Sequence, residues 1–337
     1  MRILYNSKDA QYKTPFGTIR TGQSCFLRID IPKSCAAVRV TLVVEDCDEK
    51  PYREITLTRA EETTDYVLWR TEFTLEHGLY FYWFRVEKPD GSFRLFRQGD
   101  GTNMEAGEKW QLSSIPADFT TPGFAHGAIM YQILPDRFYQ KGECDLSEKL
   151  RPFRLHQSTE ETPYYTADAA GNWCNDFYGG NLAGISEKLP YLQELGVEVL
   201  YLNPIFMAYS NHRYDTADYK RVDPMLGTEA DFVRLCSEAH TRGMRVILDG
   251  VFSHTGSNSV YFDRNHVFGG GAVSDPNSPY RAWYRFRHYP DDYDAWWNMP
   301  TLPNVNELEK SYVNYVIEDD DSVIAHWLRL GADGFRL

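Results

Sequence analysis

The strongest constraint on this chain is a change of pattern near residue 122. Before it, β-branched and aromatic runs recur at 25–31, 37–44, 53–58, 66–75, 79–87 and 92–96, separated by polar turns. That spacing predicts an all-β sandwich over residues 1–122. Lys88-Pro89-Asp90-Gly91 predicts a tight hairpin, because Pro presets φ and Gly reaches positive φ. Ile115-Pro116 and Thr121-Pro122-Gly123 mark the boundary. Beyond it, apolar strands at 129–134, 197–202, 244–248 and 332–337 alternate with helical stretches. Such alternation predicts a parallel sheet with right-handed crossovers.

The helical signals are specific. Leu182, Ile185, Leu189, Leu192 and Leu195 fall at spacings of three and four, one apolar face, and Gly196 closes it. Pro190, inside that face, is expected to kink or split the helix. Thr228 and Asp231 form a capping-box pattern, ended by Gly243. A last helical region is expected between Glu309 and Leu330. Asp319-Asp320-Asp321 reads as a solvated face or a helix N-terminus. Two connections, 139–180 and about 254–308, far exceed the usual ~2–6 residues. Both leave the C-terminal ends of strands, the face that carries the active site in a (β/α)8 barrel.

Composition narrows the function. Lys and Arg number 35 against 48 Asp and Glu, a net charge of −13. That argues against a nucleic-acid partner, which selects a basic patch, and against anionic membrane surfaces. No apolar run approaches a membrane span, and residues 1–9 show no signal-peptide pattern. The six cysteines (Cys25, Cys35, Cys47, Cys144, Cys174, Cys236) are scattered, so reduced, buried thiols in a cytoplasmic protein are expected. Aromatic residues reach 15%. Flat apolar rings suit the C–H faces of sugars, and equally a β-rich core.

Three polar clusters sit at strand ends. They are Asn211-His212-Arg213-Tyr214-Asp215-Thr216-Ala217-Asp218-Tyr219, Asp249-Gly250-Val251-Phe252-Ser253-His254, and Gly331-Ala332-Asp333-Gly334-Phe335-Arg336-Leu337. Together they place Asp, His, Tyr and Arg on one rim of a barrel.

With these clusters, the chain from about Ala128 onward resembles the α-amylase family of retaining α-glucan hydrolases. Ile133-Leu134-Pro135-Asp136-Arg137-Phe138 looks like the family's first barrel strand. Phe177-Tyr178-Gly179-Gly180-Asn181-Leu182 looks like its first helix region, and Asn203-Pro204-Ile205-Phe206 matches the end of its second strand. The N-terminal sandwich with His212–Tyr219 is similar to the neopullulanase/cyclomaltodextrinase branch. The resemblance implies a multidomain chain. An immunoglobulin-like sandwich precedes the first half of a (β/α)8 TIM barrel over 123–337, with a domain B insert at about 254–308. It implies that Tyr214 stacks under the reacting sugar and that His254, with His212 near it, hydrogen-bonds that sugar. Arg336 is to hold the nucleophile ionised, and Asp249 is to pair with Arg336 as an orienting group. It also implies a homodimer in which one subunit's sandwich covers the partner's active face. The substrates implied are maltooligosaccharides, cyclodextrins, pullulan or starch, with no redox or nucleotide cofactor.

The family pattern also has departures here. A calcium-site Asn is replaced by Ser253, and a second site's acidic loop reads Gln140-Lys141-Gly142-Glu143-Cys144-Asp145, with Asn181 in place of Asp. A hard cation needs several oxygen ligands, so neither calcium site is expected and no metal ligands are assigned. The family's nucleophilic Asp would follow Leu337, and its general acid comes from later strands. This reads as a truncation, so the 1–337 polypeptide alone is expected to be inactive, with open edges on its half barrel. Trp296, Trp297, Tyr289 and Tyr293 in the insert suit outer sugar platforms or the core of the insert, and these stay open. Two rival functions remain: glucan transfer to a sugar acceptor, and non-catalytic glucan binding.

Overall fold

The computed structural model describes residues 2–104 and 106–337. The chain divides into two compact units, Met1–Thr121 and Pro122–Leu337. The first contains two sheets. One runs Lys13–Thr14, Cys25–Pro32, Tyr66–Phe73, Thr58–Glu62, all antiparallel. The other is built on the long strand Gly78–Lys88, which pairs with Arg39–Glu45, Gly91–Gln98 and Trp110–Ile115. Tyr80, Tyr82, Phe84 and Val86 alternate along that strand and share one apolar core with Leu27, Ile29 and Trp69 of the first sheet. Between them, Trp83 donates Nε1–H to Glu45 at 2.8 Å and is covered by the Arg94 guanidinium at 4.9 Å. Packing therefore accounts for most of the aromatic run at 80–84. The strand expected at 53–58 is in fact two, Pro51–Thr56 and Thr58–Glu62, on different sheets. The chain changes sheets at Leu57, which is only 2% exposed and belongs to the shared core.

The second unit is organised by four parallel strands in sequence order: Met130–Ile133, Val199–Leu202, Arg245–Asp249 and Gly334–Arg336. Ile133 pairs with Leu202, Leu202 with Leu248, and Leu248 with Phe335, so the polar residues that follow emerge side by side. Leu182, Ile185, Leu189 and Leu192 are buried as one helical stripe. Pro190, however, neither splits nor ends that helix, which runs unbroken over Leu182–Glu194. Pro190 lies on the exposed face, so only one hydrogen bond is lost while the apolar stripe stays packed. The helix is capped by Asn181, whose Oδ1 accepts from Gly184 N at 2.8 Å. Gly184 is required there: a Cβ would lie 1.9 Å from the Tyr139 carbonyl oxygen.

Helix Glu229–Thr241 begins with the expected capping box of Thr228 and Asp231. The region from 309 to 330 is not one helix. Lys310–Val313 continues directly into the wider turn Asn314–Glu318, and after a break the chain is helical again over Val323–Arg329. The break is made by Ser322, whose hydroxyl donates to Ile317 O at 3.1 Å and caps Ala325 N at 3.3 Å. Asp319, Asp320 and Asp321 form the exposed turn before that cap.

All six cysteines are free, but only Cys25 and Cys236 are buried, and Cys47 and Cys174 are exposed. The expectation of uniformly buried thiols is therefore corrected. Polar turns, not core strands, carry the exposed pair. Among the described residues, no helix is long and apolar enough to cross a membrane.

Candidate active site

The site forms where the parallel strands end. Asp249 closes the third strand and is 1% exposed. Its Oδ2 accepts from Tyr201 Oη at 2.7 Å and from Tyr214 Oη at 2.8 Å. Its Oδ1 faces Arg336 Nη1 at 3.5 Å, across the register pair that joins the third and fourth strands. Gly250 N–H donates to Arg336 O at 2.8 Å, and a Cβ at Gly250 would lie 2.8 Å from Leu337 Cδ2. Glycine lets the fourth strand approach this closely.

Asn203, just past the second strand, donates Nδ2–H to Tyr214 Oη at 3.1 Å, and accepts from Gln132 Nε2 of the first strand at 3.0 Å. One polar network thus links the ends of all four strands. The sequence reading assigned no site role to Tyr201, Gln132 or Asn203, and Asn203 entered it only as part of the motif at the end of the second strand. The available signal was a tyrosine in the otherwise apolar strand Val199–Leu202, whose buried hydroxyl requires a partner.

The Tyr214 hydroxyl has its pKa raised, first by burial and then by Asp249, so it remains a donor. His212 packs against Tyr214 with ring centres 5.8 Å apart, and its Nδ1 accepts from Tyr214 N at 3.1 Å. Burial lowers its pKa. His254 is 5% exposed, and its Nδ1 pairs with Ser253 Oγ at 3.0 Å. Burial lowers its pKa too, against the opposing pull of the Tyr214 backbone beside it. Both rings are therefore neutral near pH 7, suited to hydrogen-bonding a sugar hydroxyl. His254 is held by Tyr219, a fully buried side chain whose hydroxyl donates toward Val251 O at 2.8 Å and His254 O at 2.9 Å.

Asp249, Arg336, Tyr214, His212 and His254 are thus gathered in one neighbourhood. Asp333, from the third polar cluster, is not. It lies at the opposite end of the fourth strand, where its carboxylate binds Val246 N at 2.8 Å, His240 Nε2 at 2.7 Å and Arg245 Nη1 at 3.1 Å. It precedes the strand, so its work is to join strand to helix.

The groups at the two family calcium positions do not suit a hard cation. The Asn181 side chain accepts from Lys141 N at 3.2 Å and donates to Lys141 O at 3.1 Å, with the Cys144 sulfur at 3.6 Å. Ser253 is engaged by His254. An amide already satisfied, a thiol and a lysine are poor oxygen ligands.

The 139–180 connection carries a second polar assembly. His156 is fully buried, with Nδ1 2.9 Å from Glu161 Oε2 and Nε2 2.9 Å from Asp176 Oδ2. Its ring lies between Tyr178 and Tyr164, with centres at 4.2 and 4.7 Å. Asp176 Oδ1 in turn accepts from Asn211 Nδ2 at 3.1 Å, which ties this loop to the segment carrying His212 and Tyr214. Burial pulls the His156 pKa down, but the bonds to Asp176 and Glu161 outweigh it and the net shift is upward. A histidine with a raised folded pKa stabilises fully below its unfolded value of about 6.5, and loses that contribution as pH rises through the folded value. The melting temperature is therefore expected to fall as pH rises from about 6.5, and His156→Gln is expected to flatten that slope. Calorimetry across this range checks it; an unchanged slope in the variant would assign the titration to another group.

The profile of the alpha amylase catalytic domain matches residues 132–337. The amylopullulanase of Thermoanaerobacterium saccharolyticum is 35% identical over 99% of this chain and 29% of its own length. The cyclomaltodextrinase of Geobacillus thermopakistaniensis is 31% identical over 77% of this chain and 45% of its own. Among solved structures, the type III pullulan hydrolase from Thermococcus kodakarensis superposes with a TM-score of 0.55 at 26% identity, covering 99% of this chain and 55% of that one. The chain belongs to the α-amylase family, in its cyclomaltodextrinase-like branch, and contains part of that family's TIM-barrel fold. It spans less than half the length of these curated relatives, 29% of the amylopullulanase and 45% of the cyclomaltodextrinase.

Proposed function

We propose that the protein containing these residues hydrolyses α-glucosidic bonds in α-glucans, with retention of anomeric configuration. The observation that carries this reading is the buried Asp249 carboxylate, held by Tyr201 and Tyr214 and facing Arg336 where parallel strands end, in a chain of this family. Relatives named for pullulan and cyclomaltodextrin support the substrate class. Retention requires a nucleophilic carboxylate and a second that protonates the leaving oxygen, about 5–5.5 Å apart. Tyr214 supplies the ring beneath the reacting sugar, and His254 and His212 hydrogen-bond its hydroxyls. Arg336 keeps the nucleophile ionised, and Asp249 aims both Arg336 and Tyr214. In this reading the first unit is the branch's immunoglobulin-like sandwich, and residues 254–308 form its domain B.

The test is incubation of the full-length protein with maltoheptaose, a cyclodextrin and pullulan, following reducing ends and the anomer first formed. Release of the α-anomer is expected. Binding without release favours the non-catalytic reading, longer products made from added glucose favour transfer, and a β-anomer rejects retention.

A further inference from the structure

Between His212 and Tyr214 stands Arg213, a residue to which the site as described gives no task. Its backbone is left-handed, with φ of 61°, a conformation that glycine or asparagine adopts more cheaply than a long side chain. Its side chain is fully buried. Nη1 donates to Asn211 O at 3.0 Å, and Nε lies 3.4 Å from Asp223 Oδ2 as an ion pair without hydrogen-bond geometry. Among the described residues, neither Nε nor Nη2 has a hydrogen-bond partner.

Asp223 does not need this second cation. Lys149, also fully buried, donates to Asp223 Oδ2 at 2.7 Å and to Ala208 O at 2.6 Å. Ala208 N and Met225 N donate to the same carboxylate at 3.1 and 2.9 Å. Burial pushes the Asp223 pKa up, but Arg213 and Lys149 outweigh it and the net shift is down. A buried cation with unmet donors adds little to stability beside a carboxylate that already has a partner. Folding alone therefore gives no reason for an arginine in a strained position.

The turn around it does. The left-handed residue folds the chain back, so that Tyr214 N–H meets His212 Nδ1 and the two rings lie together. On the near side of His212, Asn211 N–H donates to Cys174 O at 2.7 Å, and Asn211 Nδ2–H to Asp176 Oδ1 at 3.1 Å. Phe177, next to Asp176, places its ring 5.5 Å from the Arg213 guanidinium and 4.7 Å from the Lys149 ammonium. The 139–180 connection thus grips the turn on both sides of His212.

We propose that Arg213, anchored by Asp223, is a positioning residue for the reaction: it locks the turn that presents Tyr214 and His212 to the reacting sugar. This rests on the α-glucan reading above. Because Arg213 is fully buried, it acts through the turn and not on the sugar. It holds the backbone between the two rings in one conformation, and a misplacement of about 1 Å at a reacting centre costs up to about a hundredfold in rate.

The experiment uses the full-length enzyme with maltoheptaose. Arg213→Met removes the charge and leaves Asp223 paired with Lys149. Its melting temperature is expected to hold or rise, while kcat falls about tenfold and KM changes under about twofold. Arg213→Lys, which keeps a cation for Asp223, is expected to recover most of kcat. Wild-type kcat in Arg213→Met, or a change confined to KM, overturns the proposal. So does a kcat loss matched by a loss of folded protein, or an Arg213→Lys enzyme no better than Arg213→Met, either of which makes the arginine a packing group. If the wild-type enzyme releases no sugar, the hydrolase reading fails separately. The proposal is then decided by calorimetric titration with maltoheptaose. Weaker binding by a fully folded Arg213→Met protein supports it, and equal binding, or no binding by the wild type, rejects it.

Discussion

Asp249→Ala in the full-length enzyme is expected to lower kcat/KM on maltoheptaose by about a hundredfold, with most of the loss in kcat. The carboxylate is the one group that both tyrosine hydroxyls and Arg336 share. Without it, the Tyr214 ring and the Arg336 guanidinium lose their common reference, and small misplacements near a reacting centre are costly. Stability should fall as well. Tyr201 is 8% exposed, and a buried hydroxyl left without an acceptor costs about 1–3 kcal/mol. Asp249→Asn separates the two roles. Its amide oxygen still accepts from both tyrosines, but the ion pair is gone, so the expected loss is nearer tenfold with stability largely kept. Steady-state kinetics with urea unfolding of each variant checks this. Wild-type kcat in Asp249→Ala would remove Asp249 from the site.

The parts of this fold that could be read in advance were those written in local pattern. The parallel strands, the Leu182–Leu192 stripe and the Thr228–Asp231 box each follow from spacing within one element. Asp249, Tyr214 and Arg336 were singled out because each sits in a short polar cluster at a strand end that resembles the family's pattern, and that resemblance supplied the roles expected of them. What stayed hidden depended on contacts between distant elements. Tyr201 looks like core from its own strand, and only the third strand's register supplies the carboxylate it binds. His156 takes its carboxylates from Glu161 and Asp176, and its stacking rings from Tyr164 and Tyr178, with no periodicity to announce them. Pro190 misled for a related reason. Its penalty is local, whereas the apolar face that holds the helix is a property of the packed unit. Asp333 shows the limit of proximity in sequence, since it is close to Arg336 along the chain but at the other end of the strand.

Tyr214→Ala is expected to reduce kcat/KM on maltoheptaose about a hundredfold while leaving the protein folded. The residue is only half-buried, and its ring is not part of the apolar core, so removing it opens little cavity. Its contacts are instead those of a positioned ring. The hydroxyl is held between the Asp249 carboxylate and the Asn203 amide, at 2.8 and 3.1 Å, and its flank rests on His212 at 5.8 Å. Three groups from three segments fix one phenol, so a sugar stacking on it meets a surface already oriented. Tyr214→Phe keeps the ring and loses both hydroxyl bonds. If the ring itself does the work, this variant should fall only several-fold, because His212 and the backbone still orient it. If instead the hydroxyl network is what matters, Tyr214→Phe and Asp249→Ala should be equally impaired, and their combination should cost no more than either alone. Kinetics on the two single variants and the double variant distinguish these cases. A Tyr214→Ala enzyme with wild-type kcat/KM, or one that simply fails to fold, would show that the ring serves the loop and not the substrate.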